Sequence, residues 1–271
     1  MSGKAICKLM DQKFFSNYED RWDDILFRQE VESLISPSYH LMDLGAGSGN
    51  NPYMNFRGKV AKVVGVDPHP SIAQNPFLDD ARIERGGVIP SDDNMFDIVI
   101  AANTLEHLHD PERVFKEVNR VLKPGGIFLV KTPNKYHYVP LLSRLTPFSF
   151  HRFYNKLRGL NEDDVFPTRY RANDPNTLYH LARASGLEVI SLNLFEGRPE
   201  YLRLFWPSYL CGLLFERLVN SFELLRRFRL VIIAQFRKPL SRSVIDLNCY
   251  DALRFNLAMR PFITRASREG K

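Results

Sequence analysis

The residues best suited to chemistry in this 271-residue chain fall in a few short stretches, most of them at the end of an apolar run. The first, HLMDLGAGSGN over 40–50, carries Asp43 and then Gly45, Ala46, Gly47 and Gly49. Glycine permits backbone angles and close approaches that a Cβ blocks, so a ligand can lie against this turn. Asn50 stands where a nicotinamide-binding turn would need another glycine. The second stretch, VVGVD, ends on Asp67 and is followed by Pro68. A carboxylate in that place can accept both hydroxyl hydrogens of a ribose bound over the glycine turn. The third, AANTLEHLHD, holds Asn103 and His107, and His137 follows further on. Imidazole titrates near neutrality, so both histidines are candidate general bases. His109, His151 and Tyr170 are weaker candidates of the same kind.

These residues need elements to position them. Strands are expected over 39–44, 62–66, 81–84, 96–101, 127–131, 187–194 and 230–236, each short and apolar on both faces. Such strands alternating with helical stretches imply a mostly parallel sheet covered by helices, an α/β Rossmann-like fold of seven strands. A lead-in helix is expected over about 21–35. Asp110-Pro111 and Asp174-Pro175 each read as a cap followed by proline in the first turn, and Gly186 closes the second of these helices. Two stretches, 132–173 and 196–228, break the alternation and are expected to form a cap inserted into a domain over 1–238. The remaining 239–271 reads as a basic tail with a short helix around 244–259.

Bulk properties restrict the partners. The net charge is +6 and the sequence pI about 9.2, which permits nucleic acid or anionic lipid. Between Arg198 and Lys238 there are eight Arg/Lys against three Glu, so the basic character is concentrated late in the chain. Cys7, Cys211 and Cys249 have no metal-ligand spacing, and no metal is expected. So few thiols, and a first twenty residues without a signal-like apolar run, place the protein in a reducing, cytoplasmic compartment.

DLGAGSG, then VVGVD, then FDIVIAANTLEHLHDPERVFKEVNRVLKPGGIFLVKTPN together resemble the class I S-adenosylmethionine-dependent methyltransferases, in the branch with the quinone and small-molecule enzymes. The resemblance covers 39–134 closely and extends to the closing helix and strands of 174–236. It implies that Asp43, Gly45, Ala46 and Gly47 contact the methionine part of S-adenosylmethionine, that Asp67 holds its ribose, and that Ala102 and Asn103 lie near the sulfonium. It also implies that LKPGG is a turn before the fifth strand. In place of the family's Gly-Asp pair after the third strand this chain has Gly86-Gly87, which shifts adenine recognition to backbone or to Asp92 or Asp93.

The acceptor is read from two further features. The Asn/Asp-Pro-Pro-aromatic sequence of adenine and glutamine methyltransferases is missing after the fourth strand, and the NNPY at 50–53 lies elsewhere, which disfavours base-flipping chemistry. YLRLFWPSYLCGLLFERLVNSFELLRRFR over 201–229 is too short in its uncharged core to span a bilayer, which needs ~20 residues. Aromatics, leucines and flanking arginines suit a helix lying among headgroups, giving a peripheral contact with the inner membrane surface. The reading is a methyltransferase for a small-molecule acceptor, lipid-linked or glycan in type. Two alternatives stay open: an RNA methyltransferase, although no RNA-binding module is visible, and a methyltransferase-like binding protein without activity.

Overall fold

The computed structural model describes residues 3–16, 18, 22–145, 167–203 and 205–240. The expected helix around 244–259, His151 and the middle of the first insertion lie outside them. The chain divides into 1–239 and 240–271, and all the described helices and strands belong to the first of these units.

Seven strands form one sheet: β1 (His40–Leu44), β2 (Lys62–Asp67), β3 (Asp80–Ile83), β4 (Phe96–Ala102), β5 (Leu122–Pro133), β6 (Glu188–Phe195) and β7 (Val231–Arg237). Their order is β3-β2-β1-β4-β5-β7-β6. All the pairs among β1 to β5 are parallel, and β7 runs antiparallel to both of its neighbours. The carboxyl ends of β1, β2, β4, β5 and β6 therefore share one edge, and the order reverses beside β1, the place where open α/β sheets bind ligands.

Side chains alternate across this sheet. Met42, Val64, Val99, Phe128 and Val130 enter one buried cluster. Leu41, Val63, Ile98, Ile100 and Leu129 enter the other. The first cluster is closed by α3 (Pro111–Val121) and α5 (Pro175–Ala184). Asp110 caps α3 by accepting the Arg113 N–H, and Asp174 caps α5 by accepting the Thr177 N–H, both at 3.1 Å. Caps of this kind contribute ~1 kcal/mol each. Phe115 of α3 meets Phe128 and Phe236 at centroid distances of 5.4 and 5.7 Å, joining helix to sheet. The second cluster is closed by α2 (Trp22–Leu34) through Phe27 and Val31.

One expectation needs correction. Residues 122–126 do not form a turn ahead of the fifth strand. β5 already begins at Leu122, paired with Phe96, and Lys123-Pro124-Gly125-Gly126 is an irregularity inside it. Gly125 adopts φ +83° and donates its N–H to the Lys238 carbonyl. A helix that the sequence did not announce, α1, spans Gly3–Phe14. It docks on α6 (Trp206–Ser221), where Cys7 and Phe15 pack with Tyr209 and Leu213. The Tyr209 hydroxyl donates to Asp11 at 2.6 Å.

The basic late segment also differs from expectation. Arg198 pairs with Glu200 and Asp11, Arg203 with the same two carboxylates, Arg217 with Glu216, and Arg226 with Glu223. Arg229 is not a surface charge: it donates to the carbonyls of Val219 and Leu194, ending α6 against β6. Burial lowers the pKa of its guanidinium.

Candidate active site

The site is built at the carboxyl ends of β1, β2, β4 and β5. As β1 ends, Gly45, Gly47 and Gly49 all take positive φ (+80°, +53° and +82°), which explains the run of glycines. The three are not equivalent. A Cβ on Gly45 would meet Thr104 Oγ1 at 2.3 Å, and one on Gly49 would meet Asn75 Oδ1 at 2.6 Å. A Cβ on Gly47 would meet nothing within 4 Å. Gly45 and Gly49 are thus glycines for packing, while Gly47 faces open space suited to a ligand.

Thr104 and Asn75 were not singled out from the sequence, yet they hold the turn. Thr104 Oγ1 donates to the Leu44 carbonyl at 2.9 Å. Asn75 Nδ2 donates to the carbonyls of Ala46 and Gly47 at 2.9 and 3.1 Å. For Thr104 the usable signal is a small polar residue just beyond β4, and for Asn75 one that ends the short helix Pro70–Gln74; both are faint.

Asp67 ends β2 beside the turn. Its Oδ2 accepts the Gly47 N–H at 3.0 Å and its Oδ1 the His69 N–H at 2.7 Å. Each oxygen keeps a second lone pair for a hydroxyl. Pro68 leads the chain out to the short helix Pro70–Gln74, which His69 caps through Nδ1. Asp43 is buried, and its carboxylate accepts no hydrogen bond from the described residues. Burial, and then the nearby Asp67 charge, push it up to about 7. A buried carboxylate without a partner fits a cationic ligand group such as an ammonium.

The two candidates for adenine differ. Asp93 is held by Arg120 at 2.7 Å, and Asp92 has no such partner. Gly86 and Gly87 form a left-handed turn closed by Glu84, which accepts the Gly87 N–H.

Asn103 leaves β4 in a left-handed conformation, φ +56°, and donates its N–H to the Lys131 carbonyl at 2.8 Å. Behind it, Glu106 is buried and accepts from Thr132 Oγ1, which in turn accepts from Asn173 Nδ2 at 2.6 Å. Burial raises the Glu106 pKa. This chain joins the exit of β4, the end of β5 and the approach to α5.

His107 and His137 are not brought together. Half-buried His107 donates from Nδ1 to the Pro167 carbonyl at 3.1 Å, in a loop also fixed by Arg169 and Tyr170, whose N–H groups bind the Glu106 carbonyl. The neutral ring then carries its lone pair on Nε2. His137 is 1% exposed, packed on Tyr138 and Phe215. Its Nδ1 accepts the Val139 N–H, which puts the proton on Nε2, 3.4 Å from Glu196 Oε2.

Fold and cradle define a Rossmann-like class I S-adenosylmethionine-dependent methyltransferase domain. The family model described as a methyltransferase domain matches residues 9–192, and the chain belongs to that family. It is similar to the ubiquinone/menaquinone biosynthesis C-methyltransferase UbiE of Vibrio vulnificus, 28% identical over 178 residues, 57% of this chain and 66% of the relative. It is also similar to the sterol 4-C-methyltransferase strm-1 of Caenorhabditis elegans, 31% identical over 126 residues, 40% of this chain and 37% of the relative. The matches thus span just under two thirds of the first relative's length and little over a third of the second's. Among solved structures, the [4+2]-cyclase SpnF aligns at 20% identity and TM-score 0.53 over 83% of this chain and 86% of its own. A Haloferax volcanii protein solved with the Trm112 methyltransferase activator aligns at 17% and 0.52 over 87% and 94%. These likenesses concern the fold alone.

Proposed function

We propose that the protein transfers a methyl group from S-adenosylmethionine to a small molecule with an apolar body, lipid-linked or prenyl in type. It meets this acceptor at the inner surface of a membrane. The observation that carries the acceptor reading is the outer face of α6. Trp206, Leu210, Leu214, Leu218 and Phe222 recur every four residues and are each 43–63% exposed. Five large apolar side chains in one stripe exceed the scattered exposure ordinary for a soluble surface. No helix among the described residues is long and apolar enough to cross a membrane, so the contact is peripheral. The two relatives, one named for ubiquinone/menaquinone biosynthesis and one as a sterol methyltransferase, point to acceptors of the same character. With most arginines paired inside the cap, apolar burial is the larger contribution to this contact.

When bound, the cofactor supplies an electrophilic methyl on a sulfonium, so the protein's share is alignment and proton handling. Asp43 receives the ammonium of the methionine part, the open face of Gly47 admits the ligand backbone, and Asp67 accepts from the ribose hydroxyls. Asn103 marks the edge at which acceptor and methyl meet. His107, with its lone pair on Nε2, takes the acceptor's proton. His137, buried against Phe215 and near Glu196, belongs to the packing of α6 beside the end of β5 rather than to proton transfer.

Methyl-labelled cofactor should be offered together with total lipid, saccharide and RNA extracts. Label entering the lipid fraction supports the reading. Label confined to the saccharide or RNA fraction would overturn the acceptor class, and label in no fraction would overturn methyl transfer itself.

A further inference from the structure

The cap contains a groove that the cofactor cradle does not use. It lies between α4 (Tyr138–Leu145) and the far end of α6 with the short helix Glu223–Phe228. Its volume is about 350 Å³, and its lining is wholly aromatic or aliphatic: Tyr136, Leu141, Phe215, Leu218, Leu225 and Phe228 are among the wall residues. That size is at the low end of the roughly 300–1,000 Å³ usual for small-ligand sites. The surface these side chains turn to the groove is apolar, with nothing to orient a polar ligand.

Its two ends identify an occupant. The inner end starts at the carboxyl edge of the sheet, because Tyr136 follows β5 by three residues and Phe228 precedes β7 by three. Asn134 ties these walls together, donating from Nδ2 to the carbonyls of Arg227 and Arg229 at 2.7 and 2.8 Å. Asn103, at the reacting edge, is bonded to Lys131 of the same strand. The outer end opens at Leu218, which is also a member of the exposed stripe on α6. The groove thus shares Leu218 with the exposed stripe of α6, and its walls are joined in sequence to the carboxyl end of β5 and the start of β7. Arg227 stands at its rim, stacked over the Phe228 ring at 4.8 Å and without an ion pair among the described residues.

We infer that this groove binds a single hydrocarbon chain, the acyl or prenyl tail of the acceptor, drawn from the bilayer at Leu218 and leading its reactive head to the carboxyl ends of β4 and β5. This rests on the acceptor being lipid-bodied and adds where its tail lies. A hydrocarbon chain suits a lining of aromatic and aliphatic side chains drawn from both helices. Burial of methylene groups supplies the affinity.

The test uses the full chain and a long-chain fatty alcohol carrying a mid-chain diazirine. After irradiation, label should map to peptides within 134–145 and 215–230. Leu141→Asn and Leu218→Asn, both at half-exposed positions, should each reduce that labelling about tenfold with no change in melting temperature. Leu210→Asn and Leu214→Asn, on the stripe but outside the groove, should leave it unchanged. Label spread evenly along the outer face of α6, and insensitive to Leu141→Asn, would overturn the groove. If lipid extracts are still methylated in that case, the proposed function survives without it. Methylation restricted to water-soluble acceptors would overturn the assignment of the groove to an acceptor tail together with the acceptor class.

Discussion

The backbone N–H of Gly47 donates to Asp67 Oδ2 at 3.0 Å, so the glycine turn after β1 and the carboxylate ending β2 form one unit. A ligand laid over Gly47 therefore meets Asp67 already oriented. Gly47→Ala should separate fold from function. The new Cβ meets nothing within 4 Å, but φ +53° is strained for alanine and the methyl group enters the ligand's space. The expected outcome is a loss of ~1 kcal/mol in stability with at least a tenfold loss of S-adenosylhomocysteine affinity. Gly45→Ala, which would strike Thr104, should instead disturb folding.

The proposed role of Asp43 as partner of the ammonium makes binding depend on pH. Its folded, ligand-free pKa is raised to about 7, so below that pH the carboxyl is neutral and must lose its proton to receive an ammonium. Affinity for S-adenosylhomocysteine should fall as pH drops from 8 to 6, and calorimetry in buffers of different ionisation enthalpy should show proton release in that range. The stability sign is opposite. An acid whose folded pKa exceeds its unfolded value costs stability as pH rises between the two, here from about 4 to 7. Asp43→Asn should flatten both dependences, and an unchanged pH profile would remove Asp43 from the ammonium role.

Lys131 tests the cap of α2 over the sheet. It follows Leu129 on the same face of β5 and is fully buried against Asp23, at 2.8 Å, and Asp24. Burial works against its charge, but the two carboxylates outweigh burial and raise its pKa. Lys131→Met strands two acids and should lower stability by ~3–5 kcal/mol in urea unfolding. Adding Asp23→Asn and Asp24→Asn should recover much of that loss.

Arg229 and Arg227 should behave differently. Arg229→Gln removes donors to two carbonyls and should lower stability by ~1–2 kcal/mol. Arg227→Gln should leave the melting temperature unchanged and weaken only flotation with anionic vesicles. Equal melting temperatures for both variants would return Arg229 to the surface.

How much was legible in the sequence depended on the range of the interactions. Asp110-Pro111, Asp174-Pro175 and Gly186 announce helix ends because cap and capped N–H lie within a few residues. The strands show because burial on both faces leaves continuous apolar runs, and the positions of Asp43, Gly47 and Asp67 show because they are tied to strand ends. Contacts between distant segments left no such trace. Tyr209 and Asp11 meet across 198 residues, and Lys131 and Asp23 across 108. Arg229 looked like one more surface arginine because its partners are backbone carbonyls, which carry no sequence signature. Lys123-Pro124-Gly125-Gly126 read as a turn because proline and glycine usually punctuate, whereas here they bulge within β5.

The most direct test of the cofactor site is isothermal titration of S-adenosylhomocysteine into the wild-type chain and into Asp67→Ala. On the proposed assignment Asp67 accepts the ribose hydroxyls, so its removal would lose charge-assisted hydrogen bonds. One-site binding by the wild type is expected, weakened in the variant by ~1.5–3 kcal/mol with the fold intact. Equal affinity in the two would remove Asp67 from the ribose, and no binding by the wild type would contradict the cofactor site altogether.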